Sequence, residues 1–199
     1  KIKNFFVNNK KNLIITLTAL ILLILSYFIY KEINERNKIK LADKFNIVSL
    51  NFATGNKSNV ESEMIKIIES KDKTYSPLAL YFLIDNNLVE NQNEVNQLFD
   101  IVINKTSLET EIRNLIIYKK ALYNADFINE NELLDILKPL INSSSVWKSH
   151  ALYLVAEFFY SKNEKQKSKE FFTEIINLEL SNQNVKLQAQ KRLNRDLSD

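Results

Sequence analysis

The sequence predicts an all-α chain: one N-terminal transmembrane helix, then degenerate helical hairpins stacked into a short superhelical array. Three observations predict it. An uncharged apolar run fills Leu13 to Tyr30. The whole chain carries one glycine and two prolines, too little turn chemistry for a many-stranded fold. Beyond the run, apolar residues recur at three-to-four spacing between recognisable helix starts.

The first element is the stretch KKNLIITLTALILLILSYFIYKE, Lys10 to Glu32. Its uncharged part, with Leu13, Leu22 and Tyr30 as markers, approaches the ~20 residues that a helix needs to cross ~30 Å of hydrocarbon. Its apolar residues surround the helix, so it calls for an apolar environment on every side. A cleaved signal peptide would have a shorter apolar region ending in small residues. Here the run ends in Tyr27, Phe28 and Tyr30, which read as an interfacial aromatic belt. We therefore expect an uncleaved signal anchor at 13–30. The short basic tail at 1–12 should stay in the cytoplasm and the large domain at 31–199 should be periplasmic, because long domains translocate largely regardless of charge. The sequence opens on Lys1 rather than Met, which leaves room for further residues ahead of it.

After Lys31 the helical pattern continues through Ile33, Ile39, Leu41, Phe45, Val48 and Phe52, and Gly55 with Asn56 should end it. Capping pairs then punctuate the chain: Ser58/Glu61, Asn91/Glu94, Thr106/Glu109, Asn129/Glu132 and Asn163/Gln166, with Ser76 before Pro77 as a further start. They place helices at about 58–70, 76–88, 92–104, 107–124, 130–142, 146–161, 164–179 and 183–196. Pro139 should bend or shorten the helix that contains it. Paired helices recur at roughly 33 to 39 residues, the range of tetratricopeptide-type hairpins. The last pair most resembles that repeat. Leu152, Val155, Ala156, Phe159, Ser168, Phe172 and Ile175 take its large, large, small, aromatic, small, aromatic and small places, although Ile175 and Leu180 stand where Ala and Pro are usual.

The basic tail, the single span, the long first helix ending in ATGN and the section LKPLINSSSVWKSHALYLVAEFFYSKNEKQKSKEFF together resemble the YfgM-like proteins of proteobacteria. Leu137, Pro139, Leu140, Trp147, Ala151 and Ala156 carry the likeness over essentially the full chain. The resemblance implies a bacterial inner-membrane protein and an ancillary subunit of the SecYEG translocon. It would work beside a PpiD-like periplasmic chaperone and assist exported polypeptides. From the residues alone the reading stops at a membrane-anchored helical-repeat scaffold. An assembly scaffold of another envelope complex, for cell division or outer-membrane biogenesis, is the alternative.

Nothing in the sequence announces chemistry. There is no cysteine, hence neither disulfide nor thiolate site. The single glycine excludes a glycine-rich phosphate loop. His150 is the only histidine, with no metal constellation around it, and should lie on a helix surface. Glu109, Glu111, Glu130 and Glu132 fall in first helical turns, where the dipole favours acids. A net charge of +3 without a dense basic stripe argues against nucleic acid. The sequons at Asn56, Asn104 and Asn142 matter only in a eukaryotic secretory route. We expect no enzyme activity, cofactor or metal. Aromatics exceed what hairpin packing requires, so Tyr81, Tyr118, Tyr153 and Phe158 are the candidate partner-binding residues, and Trp147 is a candidate wedge between hairpins.

Overall fold

The structure, a computed structural model, describes residues 10–197. Most of the expected basic tail, at 1–9, therefore lies outside the described residues, as do 198–199. Among the described residues every regular element is a helix. The chain divides into two compact units, 1–60 and 61–199.

The first unit is built on α1 (Lys10–Ala53), a single helix of 44 residues, about 66 Å long at 1.5 Å per residue. From Ile14 to Tyr30 its side chains are all exposed, Leu22 at 61% and Tyr30 at 68% among them. This helix is long and apolar enough to cross a membrane. Within the apolar stretch Ser26 Oγ donates to the Leu23 carbonyl at 2.8 Å, which satisfies it without water. Beyond Lys31 the helix turns polar without breaking, and Glu32 pairs with Arg36 one turn on at 2.7 Å. The division between units falls after this polar stretch. Gly55, at φ +89°, stops the helix. Its N–H reaches the Phe52 carbonyl at 3.0 Å, and Asn56 N–H reaches the Asn51 carbonyl at 2.9 Å. Nothing crowds its missing side chain, so it is the positive φ that calls for glycine here.

The second unit holds α2 (Val60–Glu69), α3 (Tyr75–Asp85), α4 (Gln92–Lys105), α5 (Thr110–Asn124), α6 (Glu130–Ile141), α7 (Lys148–Ser161), α8 (Lys165–Asn177) and α9 (Gln183–Asp196). From α3 onward each helix packs on the next, and α7 also touches both α5 and α9. Connections as short as 162–164 leave neighbours no choice but to fold back on each other. One core cluster joins Ile117 and Ala121 of α5, Leu133, Leu137 and Leu140 of α6, and Ala151, Val155, Phe158 and Phe159 of α7. A second joins Leu152 and Ala156 of α7 to Phe172 and Ile175 of α8, Ala189 of α9, and Leu197. Ala156 and Ser168 are fully buried, small residues where α7 and α8 must approach closely.

Local signals were obeyed unevenly. Asn91 caps α4, accepting from the Asn93 and Glu94 N–H groups. Asn129 and Glu132 form a reciprocal capping box at 3.1 and 2.9 Å. Ser76, however, does not cap α3. The Asp72 carboxylate does so, accepting from Thr74 and Tyr75 N–H at 2.8 Å each, while Ser76 Oγ donates to the Ile67 carbonyl across to α2. Thr106 closes α4 instead of opening α5, donating back to Ile101. Asn163 takes a left-handed φ of +62° and ends α7. There its N–H bonds Tyr160 and the next N–H, of Glu164, bonds Phe159. Pro139 sits in the last turn of α6, which ends at Ile141, so it shortens the helix.

Candidate functional site

Odd-numbered helices carry the residues that sequence reasoning singled out. On α3, Leu78, Tyr81 and Asp85 share a face by their spacing. On α5, Ile112, Lys119 and Leu122 do the same. Between them lies a cavity of about 330 Å³ lined by Tyr81, Ile84 and Asp85 of α3, Phe99 of α4, and Lys119, Leu122 and Tyr123 of α5. Phe99 and Tyr123 meet at 6.0 Å between centroids. Leu78, Ile112 and Leu122 are large apolar residues left 43%, 43% and 46% exposed.

Tyr81 sits differently from an ordinary core tyrosine. Its ring is half-buried, and its hydroxyl is fully covered yet has no hydrogen-bond partner among the described residues. Burial first, and the nearby Asp85 charge second, push its pKa up to about 12. At neutral pH it therefore keeps its proton, sealed among protein atoms.

Tyr118 belongs to a three-ring cluster. It stacks on Trp147 at 5.8 Å and 20°, and His150 meets Tyr118 edge-on at 5.9 Å and Trp147 at 5.0 Å. Trp147, just ahead of α7, is thereby set against α5 of the preceding hairpin. His150 is half-buried here, not on an open helix surface. Burial pushes its pKa below the ordinary 6.5, against a smaller upward pull from the Val146 carbonyl. Burial likewise raises that of Tyr118.

Tyr153 packs edge-on against Phe172 at 5.3 Å. Burial and the carboxylate of Glu157, one turn along, push its hydroxyl up to about 12. Glu157 is in turn held by Arg192 of α9 through two parallel hydrogen bonds of 2.6 and 2.5 Å. The same guanidinium pairs with Asp196 and lies 4.2 Å from the Tyr160 ring centroid. Phe158 is only 6% exposed and is spent on the first core cluster. Leu22 and Tyr30 stand on α1, far along the chain from these rings, and Leu13 is in α1 with its side chain outside what the structure describes.

The structure thus gathers Tyr118, Trp147 and His150 into one cluster, puts Tyr81 in a separate cavity, and ties Tyr153 to the α7–α9 clamp. Sequence reasoning missed Lys119, Leu122 and Arg192, because single residues on amphipathic helices carry no motif. Acids in first turns have further uses: Glu111 accepts from Ser145 Oγ at 2.8 Å and Glu130 pairs with Lys167 at 2.9 Å. Among the described residues no group of three or more His, Asp or Glu is placed to hold a metal ion. No known protein family, characterised protein or solved structure matches the chain.

Proposed function

We propose that this chain is a non-enzymatic, membrane-tethered interaction scaffold. The observation that carries it is the pairing, in one chain, of an unshielded apolar helix from Ile14 to Tyr30 with a hairpin unit that leaves Leu78, Ile112 and Leu122 uncovered, Leu122 in the wall of a cavity. A tether that holds such a surface at a membrane turns a weak contact into an effectively intramolecular one, at millimolar local concentration or so for short linkers. No step needs a residue that does chemistry.

The hairpins are read as degenerate tetratricopeptide-type repeats in a superhelical array. The resemblance to YfgM-like proteins supplies the setting: the bacterial inner membrane, the hairpin unit in the periplasm, the SecYEG translocon and a PpiD-like chaperone as partners, and exported polypeptides as clients. In-cell photo-cross-linking tests this reading, with probes at Leu22 in α1 and at Leu187 on α9, both exposed. Channel subunits captured at Leu22 and a periplasmic chaperone at Leu187 support the translocon assignment. Capture of a different envelope complex at Leu187, with nothing at Leu22, rejects it in favour of an assembly scaffold.

A further inference from the structure

Resting on the membrane tether of that scaffold reading, we propose that α1 pairs in parallel with the α1 of a second copy of this chain. The seam runs from Ile15 in the apolar stretch to Leu50 near the end of the helix.

Coverage of the polar half of α1 defines its free side. Leu41, Phe45, Val48 and Phe52 follow one another at three-to-four spacing and are buried or half-buried. Written as heptads abcdefg, they hold the b and f places. The a and d places, on the opposite side, are Lys40, Asp43, Ile47 and Leu50, all exposed. Ile47 and Leu50 are 59% and 64% exposed, and Ile39, at the flanking g place, is 56% exposed. A helix with one covered face ordinarily turns polar residues to water on the other. Here the other face carries apolar residues as well.

Register carries the same seam back through the apolar stretch. Counting in sevens, the a places are Ile33, Ser26 and Ala19, and the d places are Ile29, Leu22 and Ile15. All six are exposed. Between helices in lipid the hydrophobic effect supplies no drive, and close packing does instead. Ser26 and Ala19, both small, fall seven apart on the one line that continues into Ile33 and Ile47. From Ile15 to Leu50 the seam covers about five heptads, more than the three or four that mark a coiled coil. Its length is about 50 Å at 1.5 Å per residue.

Two observations select a second copy as the occupant. The first is sidedness. Every copy enters the membrane by the same helix in the same sense, so two α1 helices meet parallel, and each a or d residue faces its own counterpart. Ile at a with Leu at d, as at Ile47 and Leu50, is the two-stranded combination.

Charge is the second. Lys40 at a and Asp43 at the following d are opposite in sign, so the Lys40 of each copy lies beside the Asp43 of the other, twice over in a symmetric pair. A lone Lys at an a place costs stability but fixes the register and the number of strands. Arg36, at the d place before it, is already held by Glu32 on its own helix at 2.7 Å.

The test uses the full chain in membranes, where it has no cysteine until one is introduced. Ile33→Cys, Ile47→Cys and Leu50→Cys should each oxidise to a disulfide-linked dimer, because matched seam places bring Cα atoms within the roughly 4.4–6.8 Å that a disulfide bridges. Glu35→Cys and Lys38→Cys, exposed at c and f places, should stay monomeric. Sedimentation of the purified chain in detergent gives the dimer Kd. Leu50→Glu should weaken it at least about ten-fold by setting two carboxylates face to face. Lys40→Glu and Asp43→Lys should each weaken it about two- to five-fold, and the two together should restore it. These positions are exposed, so the melting temperature of the monomer should not move. No disulfide at the seam, equal yields at seam and control places, or disulfides to a different protein alone overturns the proposal. So does a Kd unmoved by Leu50→Glu, or a double exchange no better than its parents. Release of the chain from membranes at alkaline pH would remove the tether itself. A chain that stays in the pellet without seam disulfides leaves the scaffold function standing without this pairing.

Discussion

Asn96 of α4 and Asn124 of α5 exchange side-chain hydrogen bonds in both directions, at 2.9 and 2.8 Å. Asn124 is 2% exposed, and Gln92 and the Lys120 carbonyl complete its two acceptor and two donor positions. This fully satisfied amide fixes the α4–α5 pair next to the cavity that both helices line. We expect Asn124→Leu to cost about 2 kcal/mol, because it strands the half-buried Asn96 and Gln92 amides. Asn96→Asp should also destabilise, by setting a carboxylate against the Asn124 carbonyl oxygen. Thermal unfolding of the full chain in detergent measures both.

Ser168 offers the opposite case. It is completely buried and its hydroxyl has no partner among the described residues, so its size matters and its polarity does not. Ser168→Ala should be neutral or stabilise by up to about 1 kcal/mol, while Ser168→Leu should cost about 1–3 kcal/mol or more through overpacking between α7 and α8. Chemical denaturation of the two variants separates these effects.

His150 makes stability depend on pH. Its folded pKa lies below the ordinary 6.5, so the folded state prefers the neutral ring. The contribution is fully present above 6.5 and is lost as pH falls from there through the lower folded value. Melting temperature measured from pH 8 to pH 5 should fall over that window, and His150→Phe, which keeps a ring against Tyr118 and Trp147, should flatten the change. A slope unaltered in the variant assigns the effect to other groups.

The Arg192 clamp is insensitive to the same range. Arg195 foremost, with Arg192 behind it and burial opposing, holds the Asp196 carboxyl at about 2 instead of 3.8. The contribution is present above 3.8 and disappears only as pH falls towards about 2. Arg192→Ala should loosen α9 at any pH, because Glu157 loses both of its guanidinium bonds. Hydrogen exchange is the readout, with faster exchange across 183–196 and little change in α4 and α5.

How far these features were visible in sequence depends on whether they are periodic. The helices were legible because apolar spacing repeats over many residues, and the small positions Ala156 and Ser168 because close helix approach imposes size. Caps were harder. Asp72, Ser76 and Thr106 all have oxygens able to cap, and tertiary contacts decided that Ser76 would bond Ile67 and leave Asp72 to start α3. Residue type alone cannot tell Phe158, which fills a core, from Tyr81, which borders a cavity. Asn96 and Asn124 meet across 28 positions, and Arg192 meets Glu157 across 35, so no local pattern points to these pairings.

In the proposed function the chain is membrane-anchored, with its hairpin unit on the outer side. The absence of native cysteine makes single introduced thiols clean reporters of this topology. Leu180, 85% exposed, and Lys11, at the start of α1, are the sites to replace with cysteine in turn. In intact spheroplasts an impermeant maleimide should label Leu180→Cys, should leave Lys11→Cys unlabelled until lysis, and the protein should stay in the membrane pellet at alkaline pH. Release into the soluble fraction, or labelling in the reverse order, would overturn the proposed topology.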